Sequence, residues 1–251
     1  MTQFTAPLDA AISAAGIDEV PRERINPLFG AAVTAGAAPA SGLSEDDLEV
    51  VRRAALAPTA MGLTVVDARG ERALRLSIDE IGAVVIGESA SRPARWQTTA
   101  IPDLPRYLLG VLPPEGRLAA PPRLASCRDA DALQLTPAQA ADARARLRAG
   151  APAREVFASL EGLDPHLRDA LVADGDRATF AYALHRPPGG PHPPRAFRMT
   201  RTWTCGELGL YRSESPDLSA GIHQVPDGDV LGTLQPLLDE GARFAIGRET
   251  A

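Results

Sequence analysis

The sequence predicts an α+β fold in which one unit, four short strands followed by a helix, is used twice. Three observations predict it. Residues 61–114 hold four strand-like segments, then Ile101-Pro102-Asp103, then a leucine-rich stretch from Leu104 to Leu112. Residues 177–240 run the same way, with Val225-Pro226-Asp227 ahead of Val230 to Leu238. Hydrophobic residues make up 45% of the chain but aromatics only 4%, so the core must be aliphatic and alanine-rich. The halves match in pattern more than in letters. Two pseudo-symmetric lobes offer a broad surface, and such an architecture does not by itself suggest an active site.

Residues 1–43 read as an N-terminal segment. Leu8 to Ala15 forms a short helix broken by Gly16. Pro21 to Ser41, with Pro27, Gly30, Gly36 and Pro39, has few large apolar groups and reads as loosely structured. The first lobe, residues 44–114, opens with a helix. Ser44-Glu45-Asp46-Asp47 resembles a capping box with Asp at the third helical position, and Pro58 ends the helix. Met61, Leu63 and Val65 alternate with period two, as do Leu74, Leu76 and Ile78 after a turn at Ala68-Arg69-Gly70. Ile81 to Ile86 is apolar on both faces and reads as this lobe's central strand. Gly87 to Pro93 is a polar turn, and Trp96, Thr98 and Ala100 then alternate with polar neighbours. Asp103 is placed to cap a helix with Leu104, Leu108 and Leu112 on one stripe.

Residues 115–175 form a linker and helical insertion. The stretch 113–135 is poorly patterned. Thr136-Pro137-Ala138-Gln139 is then a strong helix start, with Thr as cap, Pro first and Gln third, and Gly150 stops that helix. Two short helices follow, Pro152 to Leu160 and Pro165 to Val172, the second capped by Asp164. The second lobe, residues 176–251, begins with Phe180, Tyr182 and Leu184 alternating with alanines. Arg186 to Pro194 is a proline-rich hairpin connection that suits either partner docking or a plain hairpin tip. Phe197, Met199 and Trp203 share a strand face, Leu208 and Leu210 form a third strand, and Ile222 with Gln224 marks the fourth. Val230 to Leu238 closes the lobe as a helix, and the lobes together are expected to pack as one compact body.

Composition excludes several functions. The net charge of −6, with no basic run longer than Arg52-Arg53, disfavours nucleic acid. All 26 basic residues are arginine, so lysine Schiff-base chemistry and a lysine-bearing phosphate loop are absent. An arginine-only chain rich in Ala, Gly and Pro is typical of a GC-rich bacterial genome such as an actinobacterium's. No apolar run approaches the roughly 20 residues of a membrane span, and the N-terminus lacks a secretory pattern. A cytosolic location is the expectation. Cys127 and Cys205 sit in no ligand spacing and make no disulfide scaffold. Among His166, His185, His192 and His223 no pair has helical metal-site spacing; His185 and His192 flank the proline loop and read as exposed loop histidines. A hydrolase using Cys205 and His223 is the remaining enzymatic alternative, and an immunity or regulatory protein the remaining non-enzymatic one. No catalytic residue, metal or cofactor is expected.

Several segments share a layout with a known family. These are the helix leading into Ala57-Pro58 and its strand, and Ile101-Pro102-Asp103-Leu104 running to Leu109-Gly110-Val111-Leu112-Pro113-Pro114. Trp203-Thr204-Cys205, Gly209-Leu210-Tyr211 and the closing leucine-rich helix after Val225-Pro226-Asp227 complete the set. Over residues 44–240 this layout resembles the EspG family, cytosolic chaperones of type VII (ESX) secretion. The resemblance implies a central antiparallel sheet flanked by helices, with a quasi-twofold relation between lobes. It implies a noncatalytic role, in which the chaperone covers the apolar tip of a PPE protein paired with a PE protein and keeps the pair soluble. The binding surface is then expected on the second lobe's sheet and proline loop, at Phe180, Tyr182, His192 and Trp203, with Trp96 on the other lobe. The competing reading for each aromatic is core packing.

Overall fold

The computed structural model describes residues 2–33, 37–89, 92–122, 132–189, 193–214 and 221–247. A short strand, β1 (Gln3–Thr5), precedes the helices α1 (Leu8–Ala14), α2 (Pro27–Gly30) and α3 (Glu45–Leu56). Then come β2 (Thr59–Asp67), β3 (Gly70–Ile78), β4 (Ala83–Ser89), β5 (Arg92–Thr99) and α4 (Leu104–Val111). Three helices fill the middle, α5 (Pro137–Arg148), α6 (Ala153–Ala158) and α7 (Pro165–Val172). The chain closes with β6 (Arg177–Arg186), β7 (Arg195–Cys205), β8 (Leu210–Ser213), β9 (Ile222–Val225) and α8 (Asp229–Ala245). The strands form one nine-stranded antiparallel sheet of order β1-β5-β4-β3-β2-β6-β7-β8-β9. Each quartet steps outward from the β2/β6 neighbours, and each ends in a helix. This is the repeated β4α scheme that the sequence predicts.

The chain divides into two compact units. One comprises Met1–Leu112, Thr179–Met199 and Leu234–Ala251; the other comprises Pro113–Ala178 and Thr200–Thr233.

In the first unit the core lies where α1 and α3 cover the sheet, with Ile12, Val51, Ala54, Val84, Ile86 and Trp96 buried together. Ser44 and Asp47 make the reciprocal capping box at the start of α3. Residues 21–33 are better ordered than the composition of 21–41 suggests. Ile25, Leu28 and Phe29 are buried, and the buried Asn26 caps α2 while its amide donates to the Ala57 carbonyl at 2.9 Å. The strand β1, unforeseen in the sequence, pairs with β5 through Phe4 opposite Trp96. The described residues of the expected polar turn at 87–93 are strand, because β4 runs to Ser89, with a register shift between Gly87 and Ser89, and β5 begins at Arg92. Asp103 occupies the cap position of α4 but makes no side-chain capping bond. The C-terminal end of that helix is held instead by arginines, Arg72 donating to the Val111 carbonyl (3.1 Å) and Arg69 to that of Leu112 (2.9 Å). Both arginines also grip Asp67 at the β2–β3 turn, and Arg72 above all holds its carboxyl far below the usual carboxylate range.

The helix α8 runs seven residues past its expected end at Leu238. Gly241 makes this possible, because Thr59 Oγ donates to the Gly241 carbonyl at 2.8 Å. A Cβ at Gly241 would lie 2.6 Å from the Thr59 methyl. His185, expected in an exposed loop, is a buried residue of β6 whose Nε2 lies 2.9 Å from the Glu23 carbonyl oxygen.

In the second unit Trp203 is fully buried and donates its indole N–H to Asp229 at 2.7 Å. Arg212 donates to the same carboxylate at 2.9 Å, so one acid at the start of α8 satisfies two buried donors from neighbouring strands. Leu208 is not part of β8. It sits in the turn before it, 51% exposed.

Candidate functional site

The helical insertion builds an open apolar feature of the second unit. Thr136 and Gln139 form the expected capping box, with Gln139 N–H donating to Thr136 Oγ1 at 3.3 Å and Thr136 N–H to Gln139 Oε1 at 3.0 Å. The same Gln139 amide donates to the Glu161 carbonyl, and Arg146 donates to Ser159 Oγ at 2.7 Å, tying α5 to the α6–α7 connection. Asp164 caps α7 through the amides of His166 and Leu167. Leu133 pairs with Ile222 through two backbone bonds of 2.7 and 3.1 Å and thereby covers that part of the β9 edge.

Between these pieces lies a groove of about 680 Å³. Helix α5 lines it at Ala140, Ala143, Arg144, Leu147 and Arg148, which share one helix face. The other walls are Phe157, the pair Leu167 and Leu171 on α7, and Leu133, Leu135 and Ile222. Leu147 is 39% exposed, a large aliphatic group left in water at the groove's lip. Below it Leu160, Leu163, Leu167, Tyr211 and Ile222 are buried as a small core that forms the floor.

A second cleft, about 590 Å³, lies along the other side of α7 and is bordered by many charged side chains. Asp169 is its hub. One oxygen accepts the Glu207 amide (2.9 Å); the other accepts the Leu208 amide (2.9 Å) and the Tyr211 hydroxyl (2.7 Å). Partial burial pushes the Asp169 carboxyl up, but Tyr211 and the two amides outweigh it and hold the group below its usual range. Gly206 is required here, since any Cβ would overlap the Asp169 carboxylate.

Cys205 also lines this cleft, and burial, reinforced by Asp176, pushes its thiol up to about 11. A thiol held protonated is a poor nucleophile. His223 does not reach it. Cys205 pairs with Leu210, whereas His223 pairs with Arg212 one strand further on. That offset, two strand spacings by two residues, places their Cα atoms about 12 Å apart. Among the described residues no group of three or more His, Cys, Asp or Glu side chains converges to hold a metal ion, and no helix is long and apolar enough to cross a membrane.

The aromatic residues singled out in the sequence lie elsewhere. Trp96, Phe180, Tyr182 and Trp203 each have no exposed surface. Trp96 stacks on Phe4 and donates to the Ala6 carbonyl, and Phe180 stacks on Tyr182. All four pack in the core, the competing reading for strand aromatics. His192 falls outside the described residues. The groove residues were not foreseen. Their one sequence signal is the spacing of Ala143, Leu147 and the flanking arginines on α5, which an alanine-rich helix makes faint.

The sequence matches no family model and no curated protein. Among solved structures, the fold is similar to that of the Mycobacterium tuberculosis type VII secretion system chaperone EspG5, solved in complex with the PE25–PPE41 dimer. The similarity has a TM-score of 0.51 at 10% identity and covers 95% of this chain and 96% of that chain. At this identity what is shared is the architecture, from end to end.

Proposed function

We propose that this protein is a noncatalytic chaperone of type VII secretion, which binds a PE/PPE-like helical pair in the cytosol of an actinobacterium and keeps it soluble for export. The observation that carries the reading is the end-to-end fold similarity to a chaperone whose solved complex contains such a pair. The groove supports it. It is open, walled largely by apolar side chains and set on a buried core, which is what an exposed apolar helix end needs for cover. The protonated Cys205 and its distance from His223 speak against the hydrolase alternative.

The test is affinity capture of the tagged full chain from its native cytosol, with the captured proteins identified and their stoichiometry measured. A PE/PPE-like pair at near-equal stoichiometry, lost with Leu147→Asp, is the expected result. Repeated capture of one unrelated protein would overturn the reading in favour of an immunity or regulatory role.

A further inference from the structure

The groove carries a charge pattern as well as an apolar wall. We infer that Arg144 and Arg148 read a carboxylate on the partner, so that the groove takes an aliphatic helix turn flanked by an acidic residue. This rests on the reading of the groove as the partner site.

Arg144 and Arg148 stand one turn apart on α5 and flank the exposed Leu147. Among the described residues no lining residue of the groove is acidic, although the chain as a whole carries a net charge of −6. Among the described residues neither arginine makes an ion pair or a side-chain hydrogen bond. Their neighbours do. Arg146 on the same helix bonds Ser159 and sits near Asp142, and Arg154 pairs with Asp174 at 2.7 Å. Arg148 lies in the last turn, where the helix dipole favours a cation, but Arg144 is a turn earlier and gains less. Like charges four residues apart repel, and among the described residues no ion pair offsets them. An incoming carboxylate would, with the bidentate geometry that guanidinium favours.

The backbone of the groove selects the shape. Leu133 already occupies the β9 edge at Ile222, so a partner strand finds no free edge there. Three helices and a covered edge instead form a trough for side chains spaced along one helix face. The walls also decide against a phosphate backbone, which gains nothing from Leu133, Leu135, Phe157 and Leu171.

The test uses the full chain and stapled helical peptides that share one leucine stripe and differ only in a flanking Glu, Gln or Lys, with binding read by fluorescence anisotropy. The Glu peptide should bind about tenfold tighter than the Gln peptide, and the Lys peptide weakest. Raising salt should narrow the differences. In the Arg144→Gln/Arg148→Gln protein the Glu and Gln peptides should bind alike, with the Gln affinity unchanged as proof that the groove is intact. Leu147→Asp should weaken all three. Equal binding of the three peptides, no binding of any, or a Glu preference that survives the double substitution overturns the inference. So would anionic phosphatidylserine vesicles bound as tightly as the Glu peptide and released by the same substitutions. A captured PE/PPE-like pair indifferent to the double substitution overturns this inference and leaves the chaperone reading. A Glu preference with no such pair captured does the reverse.

Discussion

The two sides of α7 carry opposite chemistry, and the contrast separates a structural joint from an open surface. On one side Pro165, Arg168, Asp169 and Val172 border a cleft rich in charge. There Asp169 accepts three hydrogen bonds, Arg154 pairs with Asp174, Arg168 donates to the Leu160 carbonyl, and Arg117 reaches the Glu207 carbonyl. On the other side Leu167 and Leu171 face a groove whose two guanidiniums have no partner among the described residues. Abundance of polar groups is therefore a poor guide to function in this unit. What matters is whether those groups already have partners. The charge-bordered cleft pins the β7–β8 turn to a helix; the apolar groove leaves both its grease and its charge available.

The largest effect that tests this contrast is on stability. Asp169→Ala removes the carboxylate that accepts the Tyr211 hydroxyl and two turn amides, leaving the hydroxyl only His166 Nδ1 at 3.2 Å, and should cost about 1.5–3 kcal/mol in denaturant unfolding. A cost below about 1 kcal/mol would show that the joint is no joint. Leu147→Asp should behave in the opposite way. Its side chain is half in water, so stability should shift by no more than about 0.5 kcal/mol. Partner affinity measured by titration calorimetry should fall more than about tenfold, or 1.4 kcal/mol.

Acid sharpens the comparison further. A carboxyl whose folded pKa is depressed stabilises the fold fully above its unfolded value, near 3.9, and loses that contribution as pH falls through the folded value. The stability gap between the natural chain and Asp169→Asn should be constant above about pH 5 and close on acidification below about pH 4. A gap that persists at low pH would show that the carboxylate's charge is not what holds the turn. The smallest effect belongs to Cys205. In a Cys127→Ser background, its alkylation at neutral pH should be slow and should accelerate only toward the thiol's pKa of about 11. Cys205→Ala should leave partner binding unchanged.

Local chemistry made much of the fold legible. Helix α7 spans the residues that Asp164-Pro165 and the following apolar spacing predict, and the capping boxes at Ser44 and Thr136 form as their side chains dictate. The repeated strand quartets were visible because period two survives even in alanine-rich sequence. What escaped depends on distant partners. The three residues of β1 are a strand only because β5 lies some ninety residues away to pair with them. Ile25, Leu28 and Phe29 carry helical spacing, but Pro27 and the flanking glycines and alanines obscure it. The run Asp239-Glu240-Gly241 reads as a helix end, yet Gly241 lets α8 continue against Thr59. The groove was hidden for the same reason, since Leu133, Leu147, Leu171 and Ile222 come from four segments. The strand aromatics show the converse. A large ring on an apolar face is conspicuous in sequence because the core needs it.

The placement of the tryptophans has a spectroscopic consequence. The chain has two, Trp96 in one unit and Trp203 in the other, and both are fully buried. Each unit therefore carries its own emitter. Trp96→Phe leaves a fluorescence signal that follows only the unit bearing the groove, and Trp203→Phe leaves one that follows only the other. Recorded across a single temperature ramp, the two emission traces would resolve whether the protein melts in one step or two without any label being attached.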